Sequence, residues 1–113
     1  MSSPPAALAL AALIALFALP ATAQRRIHVA DSRALLAAAE SLVAGDVLEL
    51  APGSYEFRSL RLDGLAGRAD RPITIRSRPG SRAVLRGTAV ENVINIKDCR
   101  WLRFEDLDVT SAG

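Results

Sequence analysis

The apolar positions change period at Gly45. Before it, Leu35, Leu36, Ala39, Leu42 and Val43 fall at i, i+1, i+4, i+7 and i+8, which makes one stripe along a helix over 32–43. Asp31 or Ser32 can cap its first free N–H groups, and Gly45 can take the left-handed conformation that ends a helix. After Gly45 the period drops to two. Leu48 and Leu50 face one way and Glu49 the other. Pro52-Gly53 stops that strand with a turn, and Tyr55 and Phe57 resume the alternation. Further strands are predicted at Ser59–Leu62, Pro72–Arg76, Ala83–Arg86, Val93–Ile96, Trp101–Phe104 and Asp106–Val109, with Ile27–Val29 as a short one ahead of the helix. The inward set is Leu48, Leu50, Leu60, Leu62, Ile73, Ile75, Leu85, Ile94, Ile96, Leu102, Phe104, Leu107 and Val109.

These strands are short and no helix lies between them, so a βαβ fold is excluded. An antiparallel sandwich and a parallel β-solenoid remain. Two-residue hairpin signals are sparse, with only Asp63-Gly64 present. An apolar-polar-apolar triplet recurs instead at Leu48–Leu50, Ile73–Ile75 and Leu102–Phe104. Spacing of two to three dozen residues is a solenoid period, in which each pass of the chain stacks on the last. The helix then has a role as a cap that hides the apolar end of the first coil.

Composition adds an address and a charge pattern. Residues 6–19 are almost wholly apolar, and no charged side chain precedes Arg25. Pro20-Ala21-Thr22-Ala23 carries the small-x-small pattern of a signal-peptidase site. Residues 1–23 therefore read as a secretory signal, giving a secreted or periplasmic chain from Gln24 with no membrane segment after cleavage. The basic residues that usually open a signal are missing, and an uncleaved anchor is the alternative, although the apolar run is shorter than the ~20 residues of a spanning helix. The chain divides into this signal, a strand and capping helix over 24–45, and coils over 46–113.

The whole chain carries 14 basic and 12 acidic residues. Residues 58–86 hold eight arginines against Asp63 and Asp70, a net of +6. Such a band ordinarily decorates solvated strand faces, and it can also attract an anionic polymer. Arg61, Arg76, Arg86 and Arg103 are the candidates for contact with one. Cys99 is the single cysteine, so no intrachain disulfide can form, and a lone cysteine is ordinarily a small buried hydrophobe.

Abstraction of a proton from a substrate needs a base, with a cation to neutralise the developing charge. Lys97, in a turn beside Asp98, and His28, ahead of the cap, are poor candidates for that base. Asp106 and Asp108 point the same way on a strand, about 6.6 Å apart. That spacing suits calcium or an inverting pair of carboxylates, against the ordinary reading of a solvated face. Asn95 fits a ladder between coils, and Trp101 sits opposite Leu102 and Phe104, partly exposed. No Gly-rich strand-to-helix loop is present and aromatics are few, so nucleic acid and nucleotides are not expected partners.

The order of these segments resembles a known family. Ile27-x-Val29, the helix, Gly45-Asp46-x-Leu48-x-Leu50-x-Pro52-Gly53-x-Tyr55 and Arg71-Pro72-Ile73-Thr74-Ile75-Arg76 look like the amino-terminal end of secreted right-handed parallel β-helix proteins. The pattern is most similar to polysaccharide lyases of the chondroitinase B and alginate lyase type. The stretch from Val93 to Thr110 looks like the generic repeat of that fold. The resemblance implies an all-β fold: a right-handed parallel β-helix (solenoid) of which this chain holds the capping helix and the first two or three coils. It implies further coils downstream and an anionic polysaccharide as substrate. Catalytic Lys and Arg and any calcium ligands would then lie on those later coils, so no catalytic residue and no cofactor are expected within 1–113. A non-catalytic β-helix surface or glycan-binding protein is the alternative.

Overall fold

The computed structural model describes residues 24–88 and 92–111. The expected signal at 1–23 lies outside them. The elements are β1 (Arg26–Val29), α1 (Ser32–Ala39), β2 (Val47–Leu50), β3 (Gly53–Phe57), β4 (Leu60–Asp63), β5 (Ile73–Ser77), β6 (Ala83–Gly87), β7 (Ile94–Lys97), β8 (Leu102–Glu105) and β9 (Leu107–Ser111). The fold is mostly β, and every strand pairing is parallel. An antiparallel sandwich is thereby excluded.

The strands form three sheets with orders β1-β2-β5-β8, β3-β6-β9 and β4-β7. From β2 onward the chain visits the first, second and third sheet in turn, then returns to the first beside the strand it left. Each pass is one layer. Inward residues stack in register from layer to layer. Ile27, Leu48, Ile75 and Phe104 form one column, Tyr55, Leu85 and Val109 a second, and Leu62 and Ile96 a third. Leu48, Leu50, Leu60, Leu62, Ile73, Ile75 and Leu85 are fully buried, as the alternation predicts. Ile94, Leu102 and Leu107 are only partly covered. Ile96, Phe104 and Val109 are 54%, 37% and 51% exposed. These three inward residues, one per sheet, lie over buried Leu62, Ile75 and Leu85, with no further layer on top among the described residues.

The other end is closed. Asp31 caps α1 by accepting the Ala34 N–H at 2.8 Å. Leu35, Ala39 and Leu42 are buried, and α1 packs against β1, β3 and β4. The helix is shorter than the 32–43 predicted. It tightens through Glu40 N–H to Ala37 O and Ser41 N–H to Ala38 O, so that Leu42 can turn into the core. Leu36, within the helix, and Val43, beyond it, are exposed and fall outside the buried stripe. Gly45, at φ 87°, is therefore not the helix stop. It turns the chain into β2, and its N–H donates to Arg71 O. Asp46 locks that turn: buried, it accepts Val43 N–H at 2.9 Å and both Arg25 Nε at 3.0 Å and Nη2 at 2.6 Å.

Candidate functional site

Outward residues of the three sheets form separate faces, and the four candidate arginines are divided among them. Arg76 and Arg103 share the first sheet. Two rows cross it in register: Arg26, Val47, Thr74, Arg103, and His28, Glu49, Arg76, Glu105. Glu105 lies 3.8 Å from Arg76 Nη1 and 3.7 Å from Arg103 Nη1, so one carboxylate serves both guanidinium groups. Glu49, read from sequence as facing away from Leu48 and Leu50, is buried with its carboxylate 3.6 Å from His28 Nδ1. The second sheet carries Arg86, whose Nε lies 3.9 Å from Glu56. The third sheet carries Arg61, opposite Asn95, with Asp63 opposite Lys97.

The expected pairing of Asp106 with Asp108 on one strand face is corrected. Asp106 has φ 53° and forms the left-handed corner between β8 and β9, so only Asp108 is a strand residue. Asp108 pairs with Arg82 at 3.1 Å. Asp106 instead lines an open cavity of about 410 Å³ with Arg78, Pro79, Gly80, Ser81 and Arg82. Its backbone carbonyl accepts Ser77 Oγ at 2.6 Å, and Ser77 Oγ accepts Ala83 N–H at 2.8 Å. Ser77, which the sequence reading left outside its strand, thus ties successive layers at the corner. Among the described residues, no three His, Cys, Asp or Glu side chains converge as metal ligands.

Lys97 is not in a turn. It closes β7, and the break begins at Asp98, the first left-handed residue after it. Asn95 makes no ladder of asparagines; its Nδ2 donates to Ser59 Oγ at 2.9 Å, and Asn92 Nδ2 donates to Asn95 Oδ1 at 3.4 Å. Trp101 is left-handed and 59% exposed. Cys99 is half-buried, with its thiol 3.2 Å from Leu62 O.

Arg61, Leu62, Asp63, Asn95, Ile96 and Lys97 line a second cleft, of about 420 Å³. Neither Arg61 nor Lys97 has an ion-pair partner among the described residues, unlike Arg76, Arg86 and Arg103. Two cations that form no ion pair, beside a carboxylate and an amide, can receive an anionic group together with hydroxyl donors. The sequence reading singled out Arg61 here and gave Lys97 no place beside it. The alternation places both on outward positions, but only the β4–β7 register brings them to one face.

No helix among the described residues is long and apolar enough to cross a membrane. No protein-family model matches the chain, and neither the curated proteins nor the solved structures contain a match.

Proposed function

We propose that this chain is the amino-terminal, capped end of an exported right-handed parallel β-helix protein that acts on an anionic polysaccharide. The supporting observation is the three-sheet rotation: parallel strands return in register to the same sheet, closed by α1 at one end and open at Ile96, Phe104 and Val109 at the other. A further pass of parallel strands with inward apolar residues is the cover that continues all three sheets at once. The apolar stretch and small-x-small site within residues 6–23 support export. The arginine band over 58–86 supports the sign of the polymer.

In this reading the described residues cap, nucleate and bind. Lyase chemistry, removal of the proton beside the uronate carboxylate, belongs to coils that follow. Titration of the protein with a polyuronate and with a neutral glucan tests the binding role. Salt-sensitive binding to the polyuronate alone is expected. Equal binding to both polymers, or to neither, contradicts it. Coding sequence beyond Gly113 that continues the apolar-polar-apolar triplets, followed by a Lys/Arg pair among acids, is the corresponding expectation for the lyase.

A further inference from the structure

Four arginines were candidates for contact with the polymer, and the structure distinguishes among them. On the first sheet, Glu105 already lies within 4 Å of both Arg76 and Arg103. On the second, Glu56 faces Arg86 and Asp108 faces Arg82. An incoming carboxylate on either face must compete with a resident one. The third sheet differs in that its resident carboxylate, Asp63, forms no ion pair with Arg61 or Lys97. Arg61 and Lys97 stand on the diagonal of a four-residue patch whose other diagonal is Asp63 and Asn95. Neighbouring strands are about 4.8 Å apart and alternate residues about 6.6 Å, so the patch spans roughly one sugar ring. The cleft of about 420 Å³ lies along it.

We infer that this cleft, lined by Arg61, Asp63, Asn95 and Lys97, is a subsite for an acidic sugar, held by its carboxylate and its ring hydroxyls. The inference rests on the anionic-polysaccharide reading and assigns that reading a face. Arg61 offers a forked pair of N–H donors to a carboxylate, and Lys97 offers a second positive charge on the far side of the patch. Asp63 accepts from ring hydroxyls. The same carboxylate repels a compact, doubly charged anion that has no hydroxyl to offer it, so sulfate is a poor ligand. Asn95 is fixed before a ligand arrives, because its Nδ2 already donates to Ser59 Oγ and its Oδ1 accepts from Asn92. One amide N–H is left to donate to a sugar oxygen. A neutral sugar would reach the hydroxyl partners but leave both cations without a counter-charge.

The test is calorimetric titration of the protein with a uronic-acid tetrasaccharide, with its fully methyl-esterified form and with inorganic sulfate. The acidic tetrasaccharide binds; the ester and sulfate bind at least about tenfold more weakly. Arg61→Gln and Lys97→Gln each weaken binding about tenfold with unchanged thermal unfolding, while Arg76→Gln and Arg103→Gln change it less than about twofold. If Arg76→Gln or Arg103→Gln carries the loss and the Arg61 and Lys97 variants bind normally, the cleft is not the site and the polysaccharide reading survives. Sulfate binding as tightly as the tetrasaccharide overturns the sugar subsite and leaves only an anion site. If the unaltered protein binds neither the tetrasaccharide nor the polyuronate, the polysaccharide reading falls and the cleft with it.

Discussion

Tyr55 closes the inner corner between β2 and β3. The ring is buried, and its hydroxyl lies 2.7 Å from Ala51 O and 3.3 Å from Val29 O, donating between them. Burial, and secondarily the charge of Asp31, raise its pKa above the ordinary phenol value of 10.0. The unfolded chain therefore loses this proton first. The stabilisation is complete below about pH 10 and declines as pH rises through the folded-state value. Tyr55→Phe should remove that decline and cost about 1 kcal/mol at neutral pH. Urea denaturation of both proteins from pH 8 to 11 checks it; parallel curves would refute it. Tyr55 is the only tyrosine, so phenolate absorbance reports the titration directly. Gly67 is a steric counterpart. A Cβ there would come within 2.5 Å of Trp101 O and 3.0 Å of Ile73 N, both backbone atoms. Gly67→Ala should destabilise by about 1–3 kcal/mol, measured in the same assay.

The strands themselves were legible because alternation survives wherever one face is buried. Leu60-Arg61-Leu62 and Ile73-Thr74-Ile75 are where the pattern puts them, within a residue at each end. Corners were less legible, because they depend on contacts between layers. Asp106 reads as a strand residue, yet it is the left-handed joint over Ser77. The helix end was misread for a related reason: Leu42 fits a helical stripe, but it is buried beyond the end of α1, in the segment that follows. The candidate site was legible only in part. Residue type marks Arg61, whereas the placing of Lys97 near it, and of Glu105 and Glu56 beside Arg76 and Arg86, belongs to register, which a single sequence does not display. Position in the stack of layers also sets energetic weight. Ile75→Ala should cost about 2–5 kcal/mol, because Ile75 is wholly enclosed. Ile96→Ala should cost less than about 1 kcal/mol, since it is 54% exposed. Thermal unfolding of the two variants compares them; equal losses would mean that Ile96 is covered in solution.

At the scale of the whole molecule, the described layers differ at their two ends. Against β1, β3 and β4 lies α1, capped by Asp31, with the turn after it held by the Asp46 carboxylate. Above β7, β8 and β9 lie strand edges and the inward side chains of Ile96, Phe104 and Val109. Local stability should follow that polarity, because opening free energy rises with buried contacts and shared hydrogen bonds. The proposed role as the capped beginning of a solenoid depends on this asymmetry more than on any one side chain. Residue-by-residue amide hydrogen exchange across residues 26–111 measures it directly. Protection should be greatest in β2 and β5, intermediate in β3, β4 and β6, and least in β7, β8 and β9. Equal protection in β8 and β2 would contradict an open end, and with it the proposal that further strands are needed to cover this one.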